Sequence, residues 1–176
     1  MRSDWHGLLK ILEITHLDQY GNPKWTERNL YNLFHIKGEQ YILNAAFAGG
    51  NTSNAYIPTN FYFGLDNRTD ISEEDTMETL TFFGSEPSGN GYSRVAVSSV
   101  GVFSVSLQSG HYSALGPILS FSANSSSWGP VKNLFLATTI DNSGILISSV
   151  ELSQPVTPSA GEGINVRMAL SLRDCP

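Results

Sequence analysis

The densest group of titratable side chains lies between residues 66 and 78, where Asp66, Asp70, Glu73, Glu74, Asp75 and Glu78 crowd one stretch. Several carboxylates on one loop are what a hard cation such as calcium requires. The spacing lacks both the alternation and the obligatory glycine of a calcium loop. A solvated segment whose last acids favour a helix N-terminus is the better expectation. Glycoside hydrolysis needs only two carboxyl groups, which need not be neighbours in sequence, and Asp66, Asp70 and Asp141 are the acids to consider. The four histidines, His6, His16, His35 and His111, share no ligand-like spacing. Cys175, the only cysteine, sits one residue from the C-terminus, which excludes a disulfide framework and leaves little around it to activate a thiol. There is no G-x-S-x-G elbow, P-loop or H-E-x-x-H. The expectation is a protein without catalytic residues, cofactor or metal.

Aromatic side chains offer a different chemistry. Trp5, Trp25 and Trp128 could stack on sugar rings, as in carbohydrate-binding modules. Aromatics in short strands more often fill a core, and Trp128 beside Gly129-Pro130 has the look of an anchor at a strand entrance.

The elements that must position these groups are mostly strands. Leu8 to Asp18, the turn Tyr20-Gly21-Asn22-Pro23 and Lys24 to Phe34 predict a β-hairpin. Gly38 to Ala48 predicts the best helix of the chain. Its buried face would carry Tyr41, Ile42, Ala45, Ala46 and Ala48 or Gly49, and Gly49-Gly50 would stop it. Asn60 to Leu65 is a short aromatic strand, and Ser72 to Asp75 is the expected start of one or two helical turns through Met77 and Leu80. Further strands are expected at Tyr92 to Val97, Val102 to Leu107, Ile118 to Ala123, Val131 to Thr138, Ile145 to Leu152 and Ile164 to Leu172. Phe103, Val105 and Leu107 share one face of their strand, as do Val166, Met168, Leu170 and Leu172 of theirs. The fold class is therefore mainly β, a β-sandwich or open barrel of about seven short strands with an N-terminal β-hairpin and one α-helix. Residues 1–50 form a hairpin-plus-helix segment and residues 51–176 the β body, together one compact unit.

Charge narrows the partners. The 176 residues carry 10 Lys+Arg against 16 Asp+Glu, a net charge of −6, which argues against nucleic acid or an anionic membrane surface. Charged residues make up 15% of the chain, well below the ordinary share, and between Val95 and Ile140 only Lys132 is charged. No apolar run is long enough for a signal peptide or a transmembrane span. The expectation is synthesis and use without a secretory step.

Two segments carry the most specific information: Glu86-Pro87-Ser88-Gly89-Asn90-Gly91-Tyr92-Ser93-Arg94-Val95, and Ser127-Trp128-Gly129-Pro130-Val131-Lys132-Asn133-Leu134-Phe135-Leu136-Ala137. The first is a glycine-rich turn entering a strand, with Arg94 expected to reach solvent; the second is a Trp-Gly-Pro corner opening a buried strand. In this order they resemble a family of tailed-bacteriophage virion proteins commonly labelled phage tail fibre proteins, with its E-P-S-G-x-G-Y-x-R and S-W-G-x-V segments. Asn29 to His35, the helix after Gly38 and the aromatic strand ending Gly64-Leu65 fit the same pattern, so the resemblance spans about residues 8 to 172. It implies a non-enzymatic structural component of the virion, made in the bacterial host cytoplasm. Such a protein would bind other virion proteins and copies of itself. Capsid decoration and host-glycan binding are the alternatives. Copies on a particle assemble symmetrically, commonly as trimers, with nothing in the sequence to set the number. The candidate interaction residues are Trp5, Trp25, Glu86, Tyr92, Arg94 and Trp128, and the first 50 residues, holding half the basic residues, are the expected docking end.

Overall fold

A computed structural model describes residues 5–47, 57–108 and 111–174. Ten strands and two helices run in the order β1 (Trp5–Leu17), β2 (Pro23–Tyr31), β3 (Leu33–Phe34), α1 (Ile36–Phe47), β4 (Asn60–Asp66), α2 (Met77–Phe83), β5 (Val95–Ser98), β6 (Ser104–Gln108), β7 (His111–Ser122), β8 (Val131–Ala137), β9 (Leu146–Val156) and β10 (Gly163–Asp174). They form two five-stranded antiparallel sheets, β2-β1-β10-β7-β6 and β3-β9-β8-β4-β5, the mainly β sandwich that the strand pattern predicts. The N-terminal hairpin is built into the body, because β1 lies between β2 and β10 and its Ile11 and Ile14 are fully buried.

The main core lies between the sheets and includes Ile11, Ile14, Phe63, Leu65, Leu134, Leu136, Ile164, Val166 and Met168. A second cluster, Met77, Leu80, Phe135, Ala137 and Leu146, lies on the other side of the β8–β9 sheet, under α2. Successive residues of a strand point to opposite faces, so Leu134 and Leu136 enter the first cluster while Phe135 and Ala137 enter the second. That two-sided burial explains why Leu134 to Ala137 of β8 run on as four apolar residues where alternation would suit a half-exposed strand. Gly64 of β4 makes room for Phe135: a Cβ there would strike its ring.

Three expectations need correction. The buried face of α1 is Gly38 and Tyr41, while Ile42 and Ala46 are exposed. Gly38 sets this orientation, since a Cβ there would run into the Ile147 backbone of β9. The expected stop at Gly49-Gly50 lies outside the described residues. α2 starts at Met77, capped by Thr76, whose hydroxyl accepts from the Thr79 N–H while the Thr79 hydroxyl accepts from the Thr76 N–H. Ser72 heads a separate turn, closed by the Asp75 N–H to the Ser72 carbonyl at 3.1 Å. The strand expected from Tyr92 begins only at Val95, since Gly89, Asn90 and Gly91 take positive φ and form a turn closed by the Tyr92 N–H on the Gly89 carbonyl. Val105 and Leu107 of β6, which the alternation places on one face, are 70% and 60% exposed.

Candidate functional site

The two recognisable segments fold onto each other. The Asn90 carbonyl accepts from the Asn124 N–H at 2.8 Å and from the Trp128 indole N–H at 3.4 Å, which ties the Gly-rich turn to the Trp-Gly-Pro corner. Trp128 is buried, packed edge-on against Tyr92 with ring centroids 5.6 Å apart, and Tyr92 stacks at 6.3 Å on Phe121. The Tyr92 hydroxyl donates to Glu86 Oε2 at 2.6 Å and accepts from the Leu65 N–H at 2.9 Å. Burial, and then the Glu86 carboxylate, hold the phenol well above its ordinary range.

Glu86 also faces Arg94. The Arg94 Nε lies 3.1 and 3.0 Å from the two Glu86 oxygens, and Nη2 bonds both Glu86 and Asn142 Oδ1. Nη1 donates to the backbone carbonyls of Asp141 at 2.5 Å and Thr139 at 3.3 Å. The guanidinium lies 5.1 Å over the Phe135 ring. Arg94 is therefore buried, contrary to the expectation that it reaches solvent. The geometry braces the Glu86–Arg94 segment against the β8–β9 loop: Nη1 and Nη2 of Arg94 reach the loop while Nε holds Glu86.

Glu86, Tyr92, Arg94 and Trp128 are thus brought together, while Trp25 is not among them. It sits on β2 opposite His16, partly buried against the main core. Of Trp5 only the backbone is described, paired with Asp174 at the far end of β1. The buried Trp128 offers no open face of the kind sugar stacking uses, and Trp25 is partly buried.

A second polar cluster escaped the sequence reading. His35, Asp66, Arg68 and Asn133 are at most 1% exposed. Asp66 Oδ1 accepts from the Asn133 amide at 2.5 Å and from the Arg68 N–H at 2.9 Å, and burial raises its carboxyl above the usual range. Arg68 Nη1 lies 2.9 Å from Asp75 Oδ2 without aligning an N–H on it, a charge contact more than a hydrogen bond. Asp75 also accepts from the Ser72 N–H at 2.7 Å and the Thr79 hydroxyl at 3.0 Å. His35 Nδ1 lies 3.0 Å from the Ser72 carbonyl, which can only accept, so Nδ1 carries the proton and Nε2 accepts from the Ser149 hydroxyl at 2.9 Å. Burial, and then Arg68, hold this imidazole down at about 4.

The acidic stretch is thereby divided. Asp66 and Asp75 turn inward to Asn133 and Arg68, while Asp70, Glu73, Glu74 and Glu78 are exposed. Among the described residues no group of three or more His, Cys, Asp or Glu side chains is placed to hold a metal ion. Asp141 stands at an exposed turn, its carboxyl held below the usual range by the Ser143 hydroxyl and N–H.

The described residues line at least two concavities. A cleft of about 420 Å³ between α1, the start of α2 and the β8–β9 loop is lined by Lys37, Gln40, Asn44, Asn142 and Ser143 above Met77 and Leu146. An apolar recess of about 360 Å³ lies between the sheets, walled by Phe34, Phe61, Phe103, Ala114, Ile147 and Met168. Among the described residues no helix is long and apolar enough to cross a membrane. Comparisons with protein-family models, with curated proteins and with solved structures yield no match.

Proposed function

We propose that this protein is a non-enzymatic structural component of a tailed-bacteriophage virion, associated with the tail or its fibres and assembling through protein–protein contacts. The observation that carries this reading is the order and content of the Glu86–Val95 and Ser127–Ala137 segments, which resemble the phage tail fibre family. Their mutual packing in the sandwich, with Tyr92 on Trp128 and Glu86 on Arg94, is what a shared fold signature would do. A surface with few charges to desolvate suits a role exercised through contact area, and Val95 to Ile140 supplies one with Lys132 as its single charge.

Capsid decoration draws on the same surface properties and differs in location and copy number. Host-glycan binding is the second reading, favoured by the cleft whose Gln40, Asn44 and Asn142 amides could bond sugar hydroxyls.

Location separates these readings. Mass spectrometry of purified particles should find the protein in stoichiometric amount, and a particle reconstruction should place a few copies at the tail vertex. Copies spread over the shell would move the assignment to decoration. Absence from purified particles would overturn the structural role altogether.

A further inference from the structure

The sandwich has four sheet edges, and they are not guarded alike. An exposed edge strand is a template for another chain, and proteins protect such edges with charge, brevity, irregular backbone or a covering element. β2 carries Lys24, Glu27 and Arg28; it is interrupted by Asn29 at φ 60°, and Glu27 Oε2 accepts from the Ser153 N–H of β9 at 3.1 Å. β3 is two residues long and β5 four. β6 has five residues with no charge or proline among them, and among the described residues it pairs on one side only, with β7.

Beside Ser104, two of its exposed side chains are apolar. Val105 stands opposite Ala114 and Leu107 opposite Tyr112 in the β6–β7 register. Val105, Leu107 and Tyr112 are 70%, 60% and 69% exposed, and Val100 and Val102 just before the strand are exposed as well. No Asp, Glu, Lys or Arg occurs from Val95 through Val131. A chain of net charge −6 repels its own copies over most of its surface, but here two identical faces can meet without opposing charges. That is the condition a self-complementary contact needs, and a charged partner would find nothing to pair with.

We propose that β6 is a self-association edge: two copies pair β6 with β6, antiparallel about a twofold axis, joining two five-stranded sheets into one of ten strands. Val105 and Leu107 of each copy then form cross-strand apolar pairs with those of the other, and main-chain hydrogen bonds supply the register. This deepens the proposed virion role by naming the surface through which copies meet, and it can fail while that role stands.

Sedimentation velocity of the full chain tests it. The wild-type protein should move from monomer to dimer with rising concentration, with half-association at or below about 100 µM. Val105→Lys/Leu107→Lys should weaken the dimer at least about tenfold with the melting temperature unchanged, because both positions are exposed in the monomer. Arg28→Ala on the opposite edge should leave the dimer intact. A wild-type chain that stays monomeric at about 100 µM, or a double-lysine variant that still dimerises, overturns the proposal. Particles that incorporate the double-lysine variant normally would overturn β6 as the working contact and leave the virion role untouched, whereas absence of the wild-type protein from particles would strike the virion role alone.

Discussion

Two arginines are buried on the same side of the β8–β9 sheet, and they are held in opposite ways. Arg94 spreads its charge over the Glu86 carboxylate, two backbone carbonyls, the Asn142 amide oxygen and the face of Phe135. Arg68, at 1% exposure, has the Asp75 contact and no aligned acceptor for its guanidinium among the described residues. Gly84 closes over it, and a Cβ there would come within 2.7 Å of the Arg68 Cβ. A buried ion is expensive unless its charge is matched, so redundancy of partners decides how much any one partner matters. The same chemical change at the two carboxylates should therefore have unequal consequences.

Neutralising Asp75 is the harshest way to test that inequality. In Asp75→Asn the guanidinium loses its counter-charge inside the protein, and the expected loss is about 3–5 kcal/mol. Glu86→Gln leaves Arg94 the Thr139 and Asp141 carbonyls, the Asn142 oxygen and the new amide oxygen. With the Glu86 side chain 25% exposed, the expected loss is about 1–2 kcal/mol. Urea unfolding of the two variants measures both. Equal losses would mean that partner number does not govern these sites, and the contrast would be gone.

Acid probes the Arg68 side from another direction. The folded-state value of His35 lies near 4, below its ordinary 6.5, so the unfolded chain binds the proton more readily. Stability is complete above 6.5 and declines as the pH falls towards 4, by up to about 3 kcal/mol at this fully buried ring. Arg68 repels the added proton while Asp75 attracts it, and the Ser149 hydroxyl loses its acceptor. Asp66 works in the opposite sense: its carboxyl is raised, so its contribution favours the fold at low pH and is lost as the pH rises through its folded value. Glu162, held at about 2 first by Lys24 and then by the Ser159 N–H, stabilises above 4.5 and loses that effect as the pH falls towards 2. Melting temperature against pH should thus show a first decline between 6.5 and 4 and a second below 4.5. His35→Gln should remove the first and leave the second, and an unchanged first decline in that variant would deny His35 this role.

The contrast between the arginines also marks what could be read from the residue order. The Arg94 side announces itself, because a Gly-rich turn, an aromatic and an arginine within ten residues are local, and so is the Trp-Gly-Pro corner they meet. The N-terminal hairpin was legible for the same reason: its turn is fixed by Asp18, whose carboxylate accepts the N–H groups of Tyr20 and Asn22 at 2.8 Å. The Arg68 side is assembled from His35, Asp66, Asp75, Asn133 and Ser149, far apart in the chain, and an arginine in an acidic loop looks solvated until a third layer covers it. α1 turned the wrong face inward in expectation because apolarity was weighed, whereas the closeness of Gly38 to Ile147 decides the packing. Alternation grouped Val105 and Leu107 of β6 on one exposed face, while Phe103, just before the strand, is partly buried against the main core, and period-two patterning does not say whether another layer lies over a face.

The finest cut at the contrast compares two supporting contacts. Thr76 caps α2, and Thr79 in its first turn bonds Asp75, so Thr76→Ala loosens the segment that presents the counter-ion to Arg68. The lost cap alone predicts about 1 kcal/mol. Asn142 touches Arg94 from an exposed loop where water can take its place, and Asn142→Ala should cost about 0.5 kcal/mol or less. Their double-mutant partners separate helix propensity from charge support. Thr76→Ala should lose part of its effect in an Asp75→Asn background, because the segment it steadies no longer carries a charge for Arg68. Asn142→Ala should instead grow in a Glu86→Gln background, where fewer acceptors remain and each counts for more. If both pairs were simply additive, the two arginines would be supported alike, and the number of partners would be incidental to how the fold tolerates a buried charge.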